Sequence, residues 1–231
     1  MIQPVDVDNL SQKLAMEAVN LIKIKRCGKV KGKTCANGSV QRKYLSSEDS
    51  IASPTVSLEA FLSTLLIDAK EGGDVVIFDV PGAYLHAEFP EDKIVLMKLR
   101  DEFVDIMCNV NPEYKKFVKV IGGKKLFYLR VLRAIYGCIE SELLWYYLFS
   151  STLVQMGFTL NPYAKCVANK MVNGKQMIIV WYVDDCKISH VDLVEVTPFG
   201  DLNTSRGNTH TFLGINFKIT KEKNVVSGKQ C

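Results

Sequence analysis

The sequence predicts an α+β fold in which helices pack on one face of a mainly antiparallel sheet. Three observations support this prediction. Apolar residues recur at helical spacing in three segments, short β-branched runs lie between them, and Asn173-Gly174 separates two such runs as a hairpin turn does. The 231 residues are 48% apolar, which is enough for one sizeable core or for two small subdomains that share one.

The three helical segments are residues 11–25, 57–70 and 143–156. In the first, apolar side chains recur at i, i+3 and i+4, the spacing of an amphipathic helix. The second places Leu and Phe on one face and is followed by two glycines, which are typical of a helix end. The third is dense in large apolar residues and is also followed by a glycine. We therefore expect a helix in each segment.

Short β-branched and aromatic runs predict the strands. The clearest is Asp74-Val-Val-Ile-Phe-Asp79, which lies between two glycines and Pro81-Gly82. The other predicted strands are residues 94–99, 126–129, 167–172, 176–182, 186–190 and 211–219. We find no internal repeat and no low-complexity tract.

Positive charge is concentrated in residues 21–43. This segment holds eight Lys or Arg and no Asp or Glu, whereas the net charge of the chain is only +4, so the remainder sums to −4. Three glycines interrupt the segment and predict a mobile hairpin or loop. A block of this kind is either a solvated surface or a site for a polyanion.

Composition disfavours two classes of protein. No stretch approaches the roughly 20 apolar residues of a membrane helix, and the N-terminus lacks the pattern of a signal peptide. We therefore expect an intracellular protein that does not contact a membrane. The seven cysteines include no C-x-x-C pair and are accompanied by three histidines, which argues against a disulfide framework and against structural zinc.

Acidic residues follow two of the apolar runs. Asp79 ends the first predicted strand, and Asp184-Asp185 follow the seven apolar residues 177–183. Mg²⁺ takes oxygen ligands, and three acids from two strands can hold two ions about 4 Å apart, as in nucleotidyl transfer. Taken alone, Asp79 also fits the cap of a turn or helix. The pattern indicates a metal site but leaves that alternative open.

The acidic doublet also fits the phospho-acceptor pocket of a receiver domain. Receivers place their acidic pair after the first strand, whereas several predicted strands precede Asp184. Only 46 residues follow Asp185, which is too few for the rest of that fold. The receiver hypothesis is therefore disfavoured.

Several motifs follow one another along the chain. They are Phe78-Asp-Val-Pro-Gly-Ala-Tyr-Leu-His86, Leu132-Arg-Ala-Ile-Tyr-Gly137, Trp181-Tyr-Val-Asp-Asp185 and Phe212-Leu-Gly214. In this order they resemble the polymerase motifs of copia-type retrotransposon reverse transcriptases. Lys31-Gly-Lys-Thr-Cys-Ala-Asn-Gly38, followed by Gln41-Arg42, resembles the basic fingers segment of those enzymes. The resemblance covers roughly residues 15–220.

The resemblance implies the fingers and palm of a right-hand polymerase. Residues 1–56 would form an N-terminal helix and the basic fingers segment, and residues 57–231 the palm with partial fingers. The implied activity is RNA-directed DNA polymerisation by the core of a retrotransposon polyprotein. Its partners would be an RNA or DNA template with a primer and a dNTP, and its cofactor two Mg²⁺ ions, with Mn²⁺ possible.

Roles for single residues follow from the same resemblance. Asp79, Asp184 and Asp185 would be the catalytic, metal-binding carboxylates, and the carbonyl of Val80 would complete their ligand set. The nucleotide-binding residues would be Lys31, Lys33, Tyr84 and Gly137, and the primer grip would be Phe212, Leu213 and Gly214. Tyr84 would exclude a 2′-hydroxyl, although without the resemblance it would be read as a half-buried strand aromatic.

The chain departs from the family pattern in two places. Glu140 stands where copia-type enzymes usually have Gln, which places an acid near nucleic-acid phosphates. Only 26 residues separate Asp185 from Phe212, where the family has a longer, helix-containing segment. We expect a thumb and RNase H region, or a second subunit, to be supplied as a partner. The alternative function is a degenerate or co-opted fragment that binds nucleic acid through residues 21–43 without polymerising.

Overall fold

The computed structural model describes residues 2–24, 28–43, 52–196, 203–206, 209–219 and 225–227. Its strands are β1 (Ile2–Pro4), β2 (Met16–Ile24), β3 (Val30–Ala36), β4 (Asp74–Asp79), β5 (Leu96–Arg100), β6 (Val118–Ile121), β7 (Lys124–Val131), β8 (Thr159–Leu160), β9 (Val167–Val172), β10 (Lys175–Tyr182), β11 (Asp185–His190), β12 (Asn203–Arg206), β13 (Thr209–Phe212), β14 (Ile215–Ile219) and β15 (Val225–Ser227). Its α-helices are α1 (Asn9–Leu14), α2 (Leu58–Glu71), α3 (Ala83–His86), α4 (Glu102–Val110), α5 (Ser141–Gln155) and α6 (Leu193–Val196). Two 3₁₀ helices cover Gly38–Lys43 and Pro112–Phe117. The predicted α+β class is confirmed.

The chain divides into two compact units, each built from two separate segments. The first unit consists of Met1–Ala52 and Tyr84–Trp145, and the second of Ser53–Ala83 and Tyr146–Cys231. The sheet of the first unit has the order β1-β7-β5-β2-β3, with β6 on β7, and only the short β2–β5 pairing is parallel. Its core includes the fully buried Met16, Phe127 and Leu129.

The helix predicted for residues 11–25 is wrong. Helix α1 covers only Asn9–Leu14, where the Asp8 side chain accepts the Ser11 N–H, and the chain then continues as strand β2. Residues of β2 such as Val19, Ile22 and Ile24 are β-branched, which favours a strand, and β2 pairs with β3 from Ala18↔Ala36 to Ile24↔Val30. The predicted hairpin in the basic segment is therefore present, except that residues 25–27 lie outside the described part.

The sheet of the second unit has the order β12-β4-β11-β10-β9-β8, and every pair in it is antiparallel. Strands β4 and β11 are central, and Val76, Phe78, Cys186 and Ile188 on them are at most 1% exposed. The strands predicted at residues 74–79, 167–172, 176–182 and 186–190 are confirmed to within one residue. Asn173 and Gly174 both have positive φ (51° and 74°), as a type I′ hairpin turn requires.

The other two predicted helices are confirmed as α2 and α5. Helix α2 begins after Ser57, whose side chain accepts the Ala60 N–H, and ends at Gly72 in the left-handed conformation. The predicted strand at residues 211–219 is instead the β13–β14 hairpin, because the chain reverses at Leu213 and Gly214. None of the helices within the described residues is long and apolar enough to cross a membrane.

Candidate active site

The register of β4 and β11 brings two of the predicted catalytic acids together. Asp79, the last residue of β4, lies directly opposite Asp185, the first residue of β11. Opposite residues of an antiparallel pair point to the same face, with Cβ atoms about 4.5–5.5 Å apart. Asp79 and Asp185 are therefore side by side on one face of the sheet of the second unit.

The third acid, Asp184, lies in the two-residue turn between β10 and β11. Val183, the first residue of this turn, has a φ of 56°, a value that costs strain for a β-branched side chain and that usually selects Gly. The Val80 N–H donates to the Asp184 carbonyl at 2.9 Å, which ties the turn to the end of β4. Backbone contacts therefore fix Asp184 beside the Asp79–Asp185 pair. Strain of this kind is concentrated at functional sites.

The acids influence one another electrostatically. Partial desolvation raises the pKa of the Asp185 carboxyl above its ordinary value, and the negative charges of Asp184 and Asp79 add to this effect. Burial, again reinforced by the same acids, raises the pKa of the Cys186 thiol well above its ordinary value. The thiol therefore stays protonated, and the raised pKa means that the Asp185 carboxyl holds a proton more readily than an exposed aspartate does.

The donor chemistry of this cluster fits a hard cation. Carboxylate and carbonyl oxygens are the ligands that Mg²⁺ prefers, and a cation would offset the desolvation and the like-charge repulsion that together raise the pKa of Asp185. Within the described residues, however, no three His, Cys, Asp or Glu side chains are arranged as a metal-binding group. The register supplies neighbouring acids, and the ligand role of Asp79, Val80, Asp184 and Asp185 remains a prediction.

Three of the predicted nucleotide-binding residues lie close together in the first unit. The Lys33 ammonium lies 3.2 Å from the centre of the Tyr136 ring, a cation–π contact. The Tyr136 ring packs against that of Tyr84, with centroids 4.6 Å apart. Gly137 follows Tyr136 directly, and Lys31 is exposed on the same face of β3 as Lys33. Tyr136, which the sequence did not single out, joins the lysine to Tyr84.

Gly137 lies where two backbone segments touch. The Ala36 N–H donates to the Tyr136 carbonyl at 2.8 Å. Gly137 has a φ of 91°, and a Cβ there would lie 1.9 Å from the Ala36 carbonyl oxygen. A Cβ at Gly38 would in turn lie 2.1 Å from the Gly137 carbonyl oxygen. Both glycines are therefore required by the close approach of the end of β3 to residues 136 and 137.

Replacing Gly137 by Ala is expected to destabilise the first unit by roughly 2–4 kcal/mol, because it adds a backbone clash to an unfavourable φ. Urea unfolding measures the loss. The matched control is Gly122→Ala, since Gly122 also has positive φ (60°) but a Cβ there meets nothing within 4 Å. The control measures the destabilisation caused by an unfavourable positive φ alone, about 1 kcal/mol. Equal losses in the two variants would show that the 1.9 Å approach is relieved without cost.

The predicted primer-grip residues form the turn of the β13–β14 hairpin. Leu213 and Gly214 both have positive φ (53° and 73°), which defines a tight hairpin turn. Phe212 is 2% exposed and packs on Phe61 of helix α2, with ring centroids 4.8 Å apart. Phe212 thus anchors the hairpin to α2, and only Leu213 and Gly214 lie at its tip.

The sequence analysis did not predict the ion pairs formed by Lys187 and Glu140. Lys187, whose side chain is 0% exposed, pairs with Asp68 of α2, whose side chain is 3% exposed. The signal was a lysine between the apolar residues Cys186 and Ile188 in a short predicted strand. Glu140, the acid expected near nucleic-acid phosphates, is paired with Lys93 in the first unit, so its negative charge is balanced within the protein.

The sequence profile of the family described as reverse transcriptase (RNA-dependent DNA polymerase) matches residues 5–228, nearly the whole chain. The chain therefore belongs to the reverse transcriptase family, and its resemblance to the copia-type members is confirmed.

The solved structures that resemble the chain include telomerase from Candida albicans in complex with the TWJ fragment of telomeric RNA. The match has a TM-score of 0.46 at 9% identity and covers 97% of this chain and 48% of that chain. The chain thus spans about half the length of the telomerase chain. Among curated proteins the sequence comparison finds no match.

Proposed function

We propose that the chain is the core of an RNA-directed DNA polymerase that extends a primer on an RNA or DNA template by two-metal nucleotidyl transfer. The observation that carries this proposal is the pairing of Asp79 with Asp185, with Asp184 in the adjoining turn. We assign residues 1–56, which include the short helix α1 and the β2–β3 hairpin, to the basic fingers segment, and residues 57–231 to the palm with partial fingers. We place the protein inside the cell.

The acids of the second unit would hold the cofactor. Asp79, Asp184 and Asp185, with the carbonyl of Val80, would be the oxygen ligands for two Mg²⁺ or Mn²⁺ ions. Bound there, the ions would stabilise negative charge on the reacting oxygens. The chain contributes the placement of the ligands: the β4–β11 register sets Asp79 beside Asp185, and the bond from Val80 holds the Asp184 backbone.

The first unit would bind the nucleotide. Lys31 and Lys33 neutralise the triphosphate, as basic side chains do for phosphates in general. The contact of Lys33 with the Tyr136 ring limits the positions that its ammonium can take, so less conformational freedom is lost on binding. Gly137, which has no side chain, lets the templating base pair approach the backbone. In the second unit, Leu213 and Gly214 would hold the primer end, with Phe212 packed behind them.

Primer extension on a homopolymer RNA template tests the proposal. The purified chain is expected to add dNTPs to an annealed DNA primer in the presence of Mg²⁺ or Mn²⁺ and to stop when the ions are removed by a chelator. Template-primer binding, measured in the same buffers, is the control. If the chain binds template-primer but adds no nucleotide with either ion, the polymerase assignment is wrong for this chain.

That outcome would favour the second candidate, a protein that binds nucleic acid without polymerising. The observation behind it is the cluster of Lys23, Lys31 and Lys33 on one face of the β2–β3 hairpin, which does not depend on the acids. Binding through these cations would weaken steeply between about 50 and 200 mM salt, because counterions are released from the phosphates. Absence of binding even at low salt would contradict both candidates.

Replacing Tyr84 by Ala is expected to increase ribonucleotide incorporation relative to deoxynucleotide incorporation, because the proposed barrier to a 2′-hydroxyl is its ring. Tyr84→Phe keeps the ring against Tyr136 and is expected to retain discrimination. The measurement is the ratio of incorporation efficiencies for rNTP and dNTP in the extension assay. An unchanged ratio in Tyr84→Ala would limit Tyr84 to packing against Tyr136.

A further inference from the structure

Within the described part of the chain, strand β3 has no neighbouring strand on the edge that faces away from β2. It is the last strand of its sheet, and among the described residues β2 is the strand that pairs with it. The Asn37 N–H donates to Glu17 of β2, whereas the Ala36 N–H points the other way and donates to Tyr136. Because backbone groups alternate along a strand, the N–H and C=O groups of Val30, Gly32 and Thr34 point away from β2.

The two faces beside this edge differ in character. One is a lysine face: Lys23 lies opposite Lys31, and Lys33, two residues further along β3, lies opposite the exposed Leu21. The other is an aliphatic face, formed by Ile22, Ile24 and Val30, which are 75%, 70% and 68% exposed. Ile24 lies opposite Val30. The hairpin therefore combines an open backbone edge with positive charge on one side and exposed apolar surface on the other.

These three features together define what could occupy the edge. A second copy pairing through its own β3 would set Lys31 and Lys33 against the same residues, and like charges opposite one another are destabilising. Nucleic-acid bases favour aromatic platforms, and the exposed apolar residues here are aliphatic. An extended polypeptide satisfies all three features, because its side chains alternate between acidic groups toward the lysine face and apolar groups toward the aliphatic face.

We propose that the edge of β3 is a docking site for an extended acidic polypeptide segment that adds a strand to the sheet. Backbone hydrogen bonds to Val30, Gly32 and Thr34 supply affinity, and the alternation of acidic and apolar side chains supplies selectivity. Occupancy would also engage Lys31 and Lys33, so such a segment would compete with a triphosphate if the proposed function holds. Docking itself does not require that function.

The test uses a fluorescent eight-residue peptide of alternating Glu and Val, titrated with the full chain at low salt. The control peptide has four Glu followed by four Val, which keeps composition and charge but removes the alternation. The edge is tested with Gly32→Pro, because proline removes the outward N–H of residue 32 and leaves the bonds to β2. Its matched control is Gly32→Ala, which keeps that N–H and meets nothing within 4 Å.

The alternating peptide is expected to bind more tightly than the block peptide. Gly32→Pro should weaken its binding about fivefold or more, and Gly32→Ala should leave it unchanged. Ile22→Ser should weaken it as well, through the aliphatic face. If Gly32→Pro fails to fold, a peptide N-methylated at alternate residues takes its place, since it cannot donate the same hydrogen bonds.

Three results would overturn the proposal. Equal affinity for the two peptides would mean that charge alone is recognised. Equal affinity of the parent and Gly32→Pro for the alternating peptide, or equal affinity of the parent for its N-methylated form, would mean that the edge is not used. No peptide binding below about 1 mM, together with clear binding of single-stranded RNA, would assign the surface to nucleic acid. All of these binding measurements are made without nucleotide addition. Failure of the docking proposal is therefore distinguishable from failure of the polymerase assignment.

Discussion

Replacing Asp184 by asparagine is expected to lower the rate of primer extension by roughly three orders of magnitude or more, as loss of one member of a catalytic unit does. The change removes one carboxylate from the ligand set and keeps the size of the side chain. The bond from Val80 is made to the Asp184 backbone carbonyl, so it survives the substitution. The turn should therefore keep its conformation, and the loss should be in catalysis rather than in folding.

Asp74→Asn is the matched control for this variant. Asp74 is the first residue of β4, at the other end of the strand from Asp79, and it is exposed. The same chemical change there is expected to leave extension at the parent rate. Initial rates at saturating dNTP and Mg²⁺, with circular dichroism spectra of all three proteins, make the comparison. Similar rates for Asp184→Asn and Asp74→Asn would remove Asp184 from the catalytic set.

The strands that carry the acidic residues were predictable because their signals are local. A short β-branched and aromatic run that ends in an acid specifies both β4 and its last residue, and the seven apolar residues before Asp184 specify β10. What the sequence could not provide is the pairing of β4 with β11, which places Asp79 opposite Asp185. That pairing joins residues about a hundred positions apart, and the only sequence evidence for it was the order of the family motifs along the chain.

Two errors show where local patterns are insufficient. The spacing of apolar residues in segment 11–25 fits a helix, yet its β-branched residues pair with β3, so tertiary pairing overrides the helical period. The run 211–219 lacks the Asn-Gly or Asp-Gly signal of a tight hairpin, and Leu213 adopts positive φ all the same. Residues that take an intrinsically unfavourable backbone conformation cannot be recognised from propensity.

Lys187 lies in β11, two residues after Asp185, and its side chain is buried. Replacing it by Met is expected to lower the free energy of unfolding by about 3–5 kcal/mol, because Asp68 is left as an unpaired buried charge. The Lys187 ammonium donates to Asp68 and also to the Thr64 hydroxyl at 3.1 Å, while that hydroxyl donates to the Phe61 carbonyl. Burial lowers the pKa of Lys187, and the neighbouring Asp68 opposes this shift.

An exposed ion pair provides the matched control. Lys125 pairs with Asp105 at 2.6 Å, and their side chains are 49% and 55% exposed. Lys125→Met is expected to cost far less than Lys187→Met, because the remaining carboxylate stays in water. Urea unfolding of the two variants measures the difference. Similar costs would mean that water reaches Asp68 when Lys187 is lost.

The double variant Lys187→Met/Asp68→Leu separates the burial penalty from the packing. Replacing a buried ion pair by apolar residues of similar volume is often neutral or stabilising, so the double variant is expected to recover most of the stability lost in Lys187→Met. Because Lys187 lies opposite Ile77 of β4, its pair with Asp68 also ties helix α2 to the strands that carry Asp79 and Asp185. A double variant that regains stability but extends primers slowly would show that the ion pair positions those acids. Full recovery of both properties would limit the pair to a role in folding.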